Sequence, residues 1–491
     1  MDYLDPRKRR RHTILLYLGY VLIGIAIVIA TIVLLYQAYG FGIDRKGTVI
    51  QNGLVFVSSQ PRAADIFIDG KLQSPKTSTR LALPEATYSL KLQRNGYRDW
   101  QRQIMVDGGQ VLHYDYPLLI PKTLITTKLQ TYEQPPTFMS QSPDKRWLVL
   151  GQPSSFDTFD VFDLKNPAKP PTAVTIPSAV LSSAKTTQSW QALEWADDSQ
   201  HLLLQHLYDE SSEYIMLDRQ APDQSINISQ TLPLKSGKLT LLDRKYDRYY
   251  VYDGVSLTLS QVTLKNPIPT VVLTGVLNYQ SYGSDTLLYA TSIGASADKV
   301  RIELKAGDKR YTIRSVAANS TYLLDITKYN DTFYAVVGAS SENKLYVYRD
   351  PAGQIGTDVF KSPTPTQILH VIRPNFVGFS SNAQYVMAEN GPQFSVYDIE
   401  NKHGYSYTAH QMVDAPQPHA SWMDGNRLTY VSGGQQIMFD YDYQNIYSLA
   451  KALPTFKPVF APDYKYSYTM APGTGTQASL SQTGLLIPSE L

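Results

Sequence analysis

Between Ile14 and Tyr36 the chain runs 23 residues without one charged side chain. At 1.5 Å per residue this makes about 34 Å of helix, enough to cross a hydrocarbon core of about 30 Å. Ile14, Leu22, Ile29 and Leu35 mark the extent of the apolar anchor, and Tyr17, Tyr20, Tyr36 and Tyr39 lie towards its ends, where interfacial aromatics gather. Arg7, Lys8, Arg9, Arg10 and Arg11 come just before it, a basic flank that is retained in the cytoplasm. A cleaved signal has an apolar region of only about 7–15 residues, and a core helix would not stay apolar on every face. The run therefore predicts a single-pass anchor at the cell membrane, with the lipid bilayer as its partner. The basic run can also meet anionic headgroups, although a solvated topogenic flank is the simpler account. No second apolar run of 18 residues follows, so everything beyond about residue 40 is expected outside the cytoplasm. The expected order is a cytoplasmic tail at 1–12, the transmembrane helix at 13–39 and a linker at 40–51.

The rest of the chain must form its own core without covalent help. It has no cysteine, which excludes disulfides, thiolate metal sites, iron–sulfur clusters and cysteine nucleophiles. With 45 basic against 43 acidic residues, a net charge of +2 gives no electrostatic case for nucleic acid. Tyrosine is abundant, at 36 of 491 residues, beside 30 Pro and 29 Gly. Aromatics favour pleated strands, and Pro and Gly favour the turns between them, so the composition points to all-β.

From Gly53 the pattern has a period of two. Leu54–Ser58 and Asp65–Ile68 read as strands, with Ile66 and Ile68 on one face, and Asp69-Gly70 is a hairpin turn signal. Further strands fit Thr87–Arg94, Trp100–Val106 and Val111–Leu118, which makes a small β-sandwich. The order of Ala64-Asp65-Ile66-Phe67-Ile68-Asp69-Gly70, Thr77–Thr79, Leu83-Pro84 and Gly96-Tyr97 resembles the PEGA domain over about residues 52–118, within a domain expected at 52–120. It departs from that family at Pro84-Glu85-Ala86, where a Pro-Gly turn is usual. The resemblance implies a bacterial envelope protein and a non-catalytic module.

After Pro121 a longer cycle begins. Turn signals recur at Ser142-Pro143-Asp144-Lys145, Ala196-Asp197-Asp198-Ser199, Lys245-Tyr246-Asp247 and Tyr282-Gly283-Ser284-Asp285. They continue at Tyr329-Asn330-Asp331, Ser380-Ser381-Asn382-Ala383, Met423-Asp424-Gly425-Asn426 and Ala461-Pro462-Asp463-Tyr464. The spacing of roughly 38 to 54 residues is that of four-stranded propeller blades. A hydrophobic strand follows each turn, then in several cycles a strand with an aromatic and an acid, such as Phe394–Ile399. This arrangement resembles the TolB-like, WD-type β-propellers over about residues 122–489, within a propeller domain expected at 121–491. Eight blades are expected, with seven as the alternative, and Leu124–Gln130 is placed to close the last one. The fold class is thus all-β with one N-terminal transmembrane helix: a PEGA-like sandwich followed by a propeller. The turn acids need only a structural role, because Asp and Asn bond their own backbone two residues on.

Chemistry is sparse by comparison. There is no Gly-x-Ser-x-Gly elbow, Walker loop, His-Glu-x-x-His or calcium-loop pattern. His201 and His206 lie five apart, on opposite faces of a strand, and His410 and His419 flank a loop. No cofactor, metal or catalytic residue is expected. The reading is a binding or scaffold protein whose propeller loops meet a protein or cell-wall glycan, Tyr208-Asp209-Glu210 and Asp440-Tyr441-Asp442-Tyr443 being candidate contacts. The alternative is a propeller hydrolase or lyase acting on envelope carbohydrate or peptide. It requires ionisable groups with perturbed pKa values converging at the channel mouth.

Overall fold

In the computed structural model a single helix spans Pro6–Ala38. The structure describes residues 6–38, 41–43, 49–183, 187–232, 237–356, 362–417 and 419–490. Its stretch Arg10–Tyr36 is long and apolar enough to cross a membrane. The reason lies in its surface: Ile14, Leu22, Ile29 and Leu35 are each more than half exposed, so no protein core takes up this apolar face. Arg7, Lys8, Arg9, Arg10 and Arg11 belong to the same helix, in its first two turns.

The chain divides into two units, at residues 1–123 and from Leu124 to Ser489. In the first, two four-stranded sheets form. One contains Phe41–Ile43, Val49–Val57 and Thr79–Pro84, with Val111–Tyr114 running parallel to Val49–Val57. The other contains Lys71–Leu72, Asp65–Ile68, Ala86–Gln93 and Trp100–Val106. Trp100–Val106 alternates buried and exposed at every position, the signature of a strand with one face on the core. Ile66, Leu90, Leu92, Trp100 and Val106 are fully buried. Asp69 and Gly70 both take positive φ, as a two-residue hairpin turn requires. Thr79–Pro84 is a strand that the periodicity did not suggest, and Glu85 alone carries the chain from it to Ala86–Gln93 in the other sheet.

Among the described residues of the second unit eight four-stranded antiparallel sheets follow one another, seven of them built from four consecutive strands. The eighth takes Val459–Phe460, Tyr466–Pro472 and Ala478–Gly484 from the end of the chain and completes itself with Thr126–Tyr132. Thr126 and Thr131 reinforce that closure through the hydroxyls of Thr483 and Ser479. Apolar clusters fill the space between neighbouring sheets. Trp190, Leu202 and Phe159 join the second sheet to the first, and Leu148, Phe162, Tyr468 and Leu480 join the first to the eighth. A succession of meanders that packs face to face and returns to its start is a β-propeller.

The recurrent turns show why these residues occur where they do. At Ser142-Pro143-Asp144-Lys145 the Asp144 carboxylate accepts from the Ser142 hydroxyl (2.5 Å) and the Arg146 amide (3.1 Å), while the Trp147 amide donates to Ser142 Oγ (2.9 Å). Ser380, Asn382, Gln384 and Tyr385 repeat the pattern in the sixth sheet. The residue after the acid or amide turns left-handed: Lys145, Ser199, Ala383 and Tyr464 have φ between 54° and 60°. Later in the cycle Asp163, Asp218 and Asp398 end the third strands at this same end of the sheets, opposite Trp147, His201 and Tyr385, and accept from the amides that follow them. These acids are structural, as their spacing predicted.

Candidate functional site

A propeller offers three places for function: the central channel and the loops at its two ends. The first strand of each sheet lies innermost, where its outer backbone edge would be unpaired. Polar side chains bond across every junction of the ring, at five of them onto backbone groups of the neighbouring sheet. Glu194 accepts from the Leu241 amide (2.9 Å), Asp325 from the Phe379 amide (3.0 Å) and Glu389 from the Ala420 amide (2.9 and 3.1 Å). Trp195 donates to Ser140 Oγ, Asn278 to the Tyr322 carbonyl and Gln141 to the Phe460 carbonyl. Thr240 bonds Tyr279, and Ser467 donates to Gln436. Each such bond contributes about 0.5–1.5 kcal/mol.

Burial raises all three of these carboxyls: Glu194 in direction, Asp325 to about 6 and Glu389 to about 8. The cause is desolvation between sheets, opposed only in part by the N–H groups that they accept from.

At the end of the channel formed by the recurrent turns, Lys145 reaches across the ring. Its ammonium donates to the Met423 carbonyl (2.9 Å) and the Tyr464 hydroxyl (2.5 Å), and it stands 4.3 Å from the centre of the Tyr464 ring. Burial lowers Lys145 below the usual lysine range. Beside it Arg427 and Asp424 pair at 2.6 Å. One cation thus ties the first sheet to the seventh and eighth.

At the opposite end, groups from three consecutive sheets meet. Glu389 ends the second strand of the sixth sheet and is 1 % exposed. His419 precedes the seventh sheet, stacked 3.5 Å from Phe376, and burial lowers its pKa. Lys457 precedes the eighth; it keeps exposed surface, and burial around its charge lowers it, against the attraction of Glu389. From sequence, His410 and His419 flank a loop, and Glu389 and Lys457 do not stand out. The signal is Glu389 itself, an acid one residue before the end of Tyr385–Asn390, directly after the buried Tyr385-Val386-Met387-Ala388.

The histidine pair separates as the strand parity requires. His201 stacks on Tyr246 and bonds Asp198 (2.7 Å), whereas His206 is fully buried against Trp190 and bonds Glu213 (2.8 Å). The two candidate contact loops fall at opposite ends of the propeller. Tyr208-Asp209-Glu210 joins the second and third strands of its sheet, and Asp440–Tyr443 follows a third strand. Tyr441 and Tyr443 are built into the fold, stacked on Tyr385 and Tyr407 at 4.1 and 5.2 Å. Among the described residues no group of three or more His, Cys, Asp or Glu side chains is placed to hold a metal ion.

Residues 52–120 match the PEGA domain family. No curated protein matches the chain. Among solved structures the chain is similar to the Dos1 propeller, at 12% identity and a TM-score of 0.45 over 74% of this chain and 95% of that one. The β-propeller domain of Myceliophteria thermophila Cps50 (Swd1) aligns at 14% identity and a TM-score of 0.39, covering 66% and 100%. An oligogalacturonate lyase in complex with manganese aligns at 12% and 0.39, covering 74% and 94%.

Proposed function

We propose that this chain is a membrane-anchored binding or scaffold protein of a bacterial cell envelope. In this reading Ile14, Leu22, Ile29 and Leu35 lie in the bilayer, and Arg7, Lys8, Arg9, Arg10 and Arg11 hold the N-terminus in the cytoplasm. The PEGA-like module at 52–120 stands next in the chain, and a TolB-like propeller with eight blades presents its loops to a protein or cell-wall glycan. One observation carries the choice of binding over catalysis: Glu194, Asp325 and Glu389 are engaged with backbone N–H groups of the neighbouring sheet. A carboxyl that holds the ring together is poorly placed to hold a substrate.

The absence of cysteine makes the topology directly testable. Val255 is 94 % exposed, and a Val255→Cys variant should react with a membrane-impermeant maleimide in intact cells. Asp5→Cys should react only after lysis. Labelling of Asp5→Cys in intact cells, or release of the chain by alkaline carbonate, would overturn the reading.

A second reading is favoured by the meeting of Glu389, His419 and Lys457 at one channel end. There a protonated Glu389 would serve as general acid in a hydrolase or lyase. Activity of the full chain on envelope polysaccharide or peptide that disappears in Glu389→Gln would establish it.

A further inference from the structure

Beside the seventh sheet lies a cavity of about 330 Å³, lined in part by His410, Gln411, Ser432, Gln435 and Ser448. We propose that it is a binding site for a short neutral saccharide; this deepens the binding reading above by naming a site and a ligand class. The volume stands at the small end of ligand pockets, which suits one or two sugar rings rather than a long chain.

Three observations support the assignment. First, none of those five side chains has a hydrogen-bond partner among the described residues. Two amides, two hydroxyls and an imidazole therefore line one open pocket, with His410, Gln411 and Ser448 on its solvent-exposed side. Amides and hydroxyls both donate and accept, as sugar hydroxyls do. Second, Tyr443, Ile437 and Ile446 supply apolar surface in the same cavity, to meet the C–H face of a sugar ring. Third, the lining holds no carboxylate, lysine or arginine to recognise an ion.

The walls are also fixed in advance. Gly433 and Gly434 turn the hairpin between Ser432 and Gln435 with positive φ at both positions, and a register shift between Gln435 and Ile437 opens the pairing to the outer strand. The connection that carries His410 and Gln411 is pinned to this sheet. The Tyr430 hydroxyl donates to the Gln411 carbonyl (3.0 Å), the Gly434 amide donates to Asp414 (3.0 Å) and the Val431 amide donates to Gln417 (3.1 Å). Tyr443 receives the His410 amide on its hydroxyl (2.6 Å). A cavity held from both sides loses little freedom when it is filled.

The test is saturation-transfer NMR on the full chain in lipid nanodiscs free of glycosidic detergent. The probes are cellobiose and diacetylchitobiose, with digalacturonate and a neutral tetrapeptide as comparisons. The expected result is transfer to a neutral disaccharide, at least about tenfold stronger than to digalacturonate. It should fall by about tenfold in Ser448→Trp, which fills the cavity from an exposed strand position, and in Gln411→Ala/Gln435→Ala, which removes two free amides (a tenfold change is about 1.4 kcal/mol). Near-UV circular dichroism checks that each variant keeps its fold, and the double variant carries the test if Ser448→Trp does not. No transfer to either neutral disaccharide, equal or stronger transfer to the tetrapeptide, or transfer that survives both substitutions would overturn the proposal. Each of those results leaves the maleimide topology test untouched, so failure here is distinct from failure of the anchored-scaffold reading.

Discussion

The side-chain amide of Gln141 donates to the backbone carbonyl of Phe460 at 2.7 Å, although 319 residues separate them. The same nitrogen donates to the Lys145 carbonyl at 2.9 Å. One side chain therefore holds a recurrent turn of the first sheet and the innermost strand of the eighth. Gln141→Leu removes both bonds and leaves the Phe460 carbonyl without this donor. We expect a loss of about 1–3 kcal/mol, seen as a lower thermal midpoint of the propeller. An unchanged midpoint would mean that the closure rests on Thr126–Tyr132 and the apolar contacts alone.

Glu389 predicts a pH dependence with a definite sign. Burial raises its carboxyl from 4.5 to about 8, so the fold prefers the neutral form. The unfolded chain ionises near 4.5, and from there to about pH 8 the native state loses stability, by about 1.4 kcal/mol per unit at most. Below 4.5 this contribution is fully present. Glu389→Gln should remove the slope, so that the variant gains on the natural protein as pH rises. Thermal midpoints at pH 5 and pH 9 check it: a difference between the two proteins that does not move with pH would refute the assignment.

Ala383 occupies the left-handed position of its turn at φ 60°. That conformation costs an L-residue about 1 kcal/mol and glycine almost nothing. Ala383→Gly should therefore leave stability unchanged or raise it by up to about 1 kcal/mol, against the loss expected of the same change in a strand. Chemical denaturation of the two proteins decides it. A clear loss would show that the buried methyl matters more than the backbone.

If the N-terminal helix spans a bilayer, charges at its centre should release it. Each acid there costs about 2.5–3.5 kcal/mol of insertion. Leu22→Asp together with Ile29→Asp should move the chain from the carbonate-resistant to the extractable fraction. Continued resistance would exclude the helix as the anchor.

Much of the ring was legible because its turns advertise themselves. Asp144, Asn382, Asp424 and Asp463 act over two or three residues, so local sequence suffices to place them. The third strands that end in an acid, such as Phe394–Asp398, were readable for the same reason. Thr258–Thr263, Lys299–Ala306 and Ala478–Gly484 lack that aromatic-acid ending, and only pairing reveals them. Thr79–Pro84 shows no apolar–polar alternation, because Leu81 is its one buried position and is followed by Ala82 and Leu83 outside the core. The inner bonds were beyond reach altogether. Glu389 and Ala420 are 31 residues apart, and nothing near Gln141 announces Phe460. Those contacts exist only once the sheets have closed into a circle.

That closure has a kinetic side. Thr126–Tyr132 is among the earliest segments of the propeller to be synthesised, yet its partner, Ala478–Gly484, comes near the end of the chain. Until the latter is made, an incomplete chain carries a bare strand edge and seven unsupported sheets, a state in which a neighbouring molecule can pair where the chain's own tail should. Assembly is therefore all-or-nothing: truncation before residue 478 should yield a sticky, protease-sensitive species rather than a slightly smaller propeller.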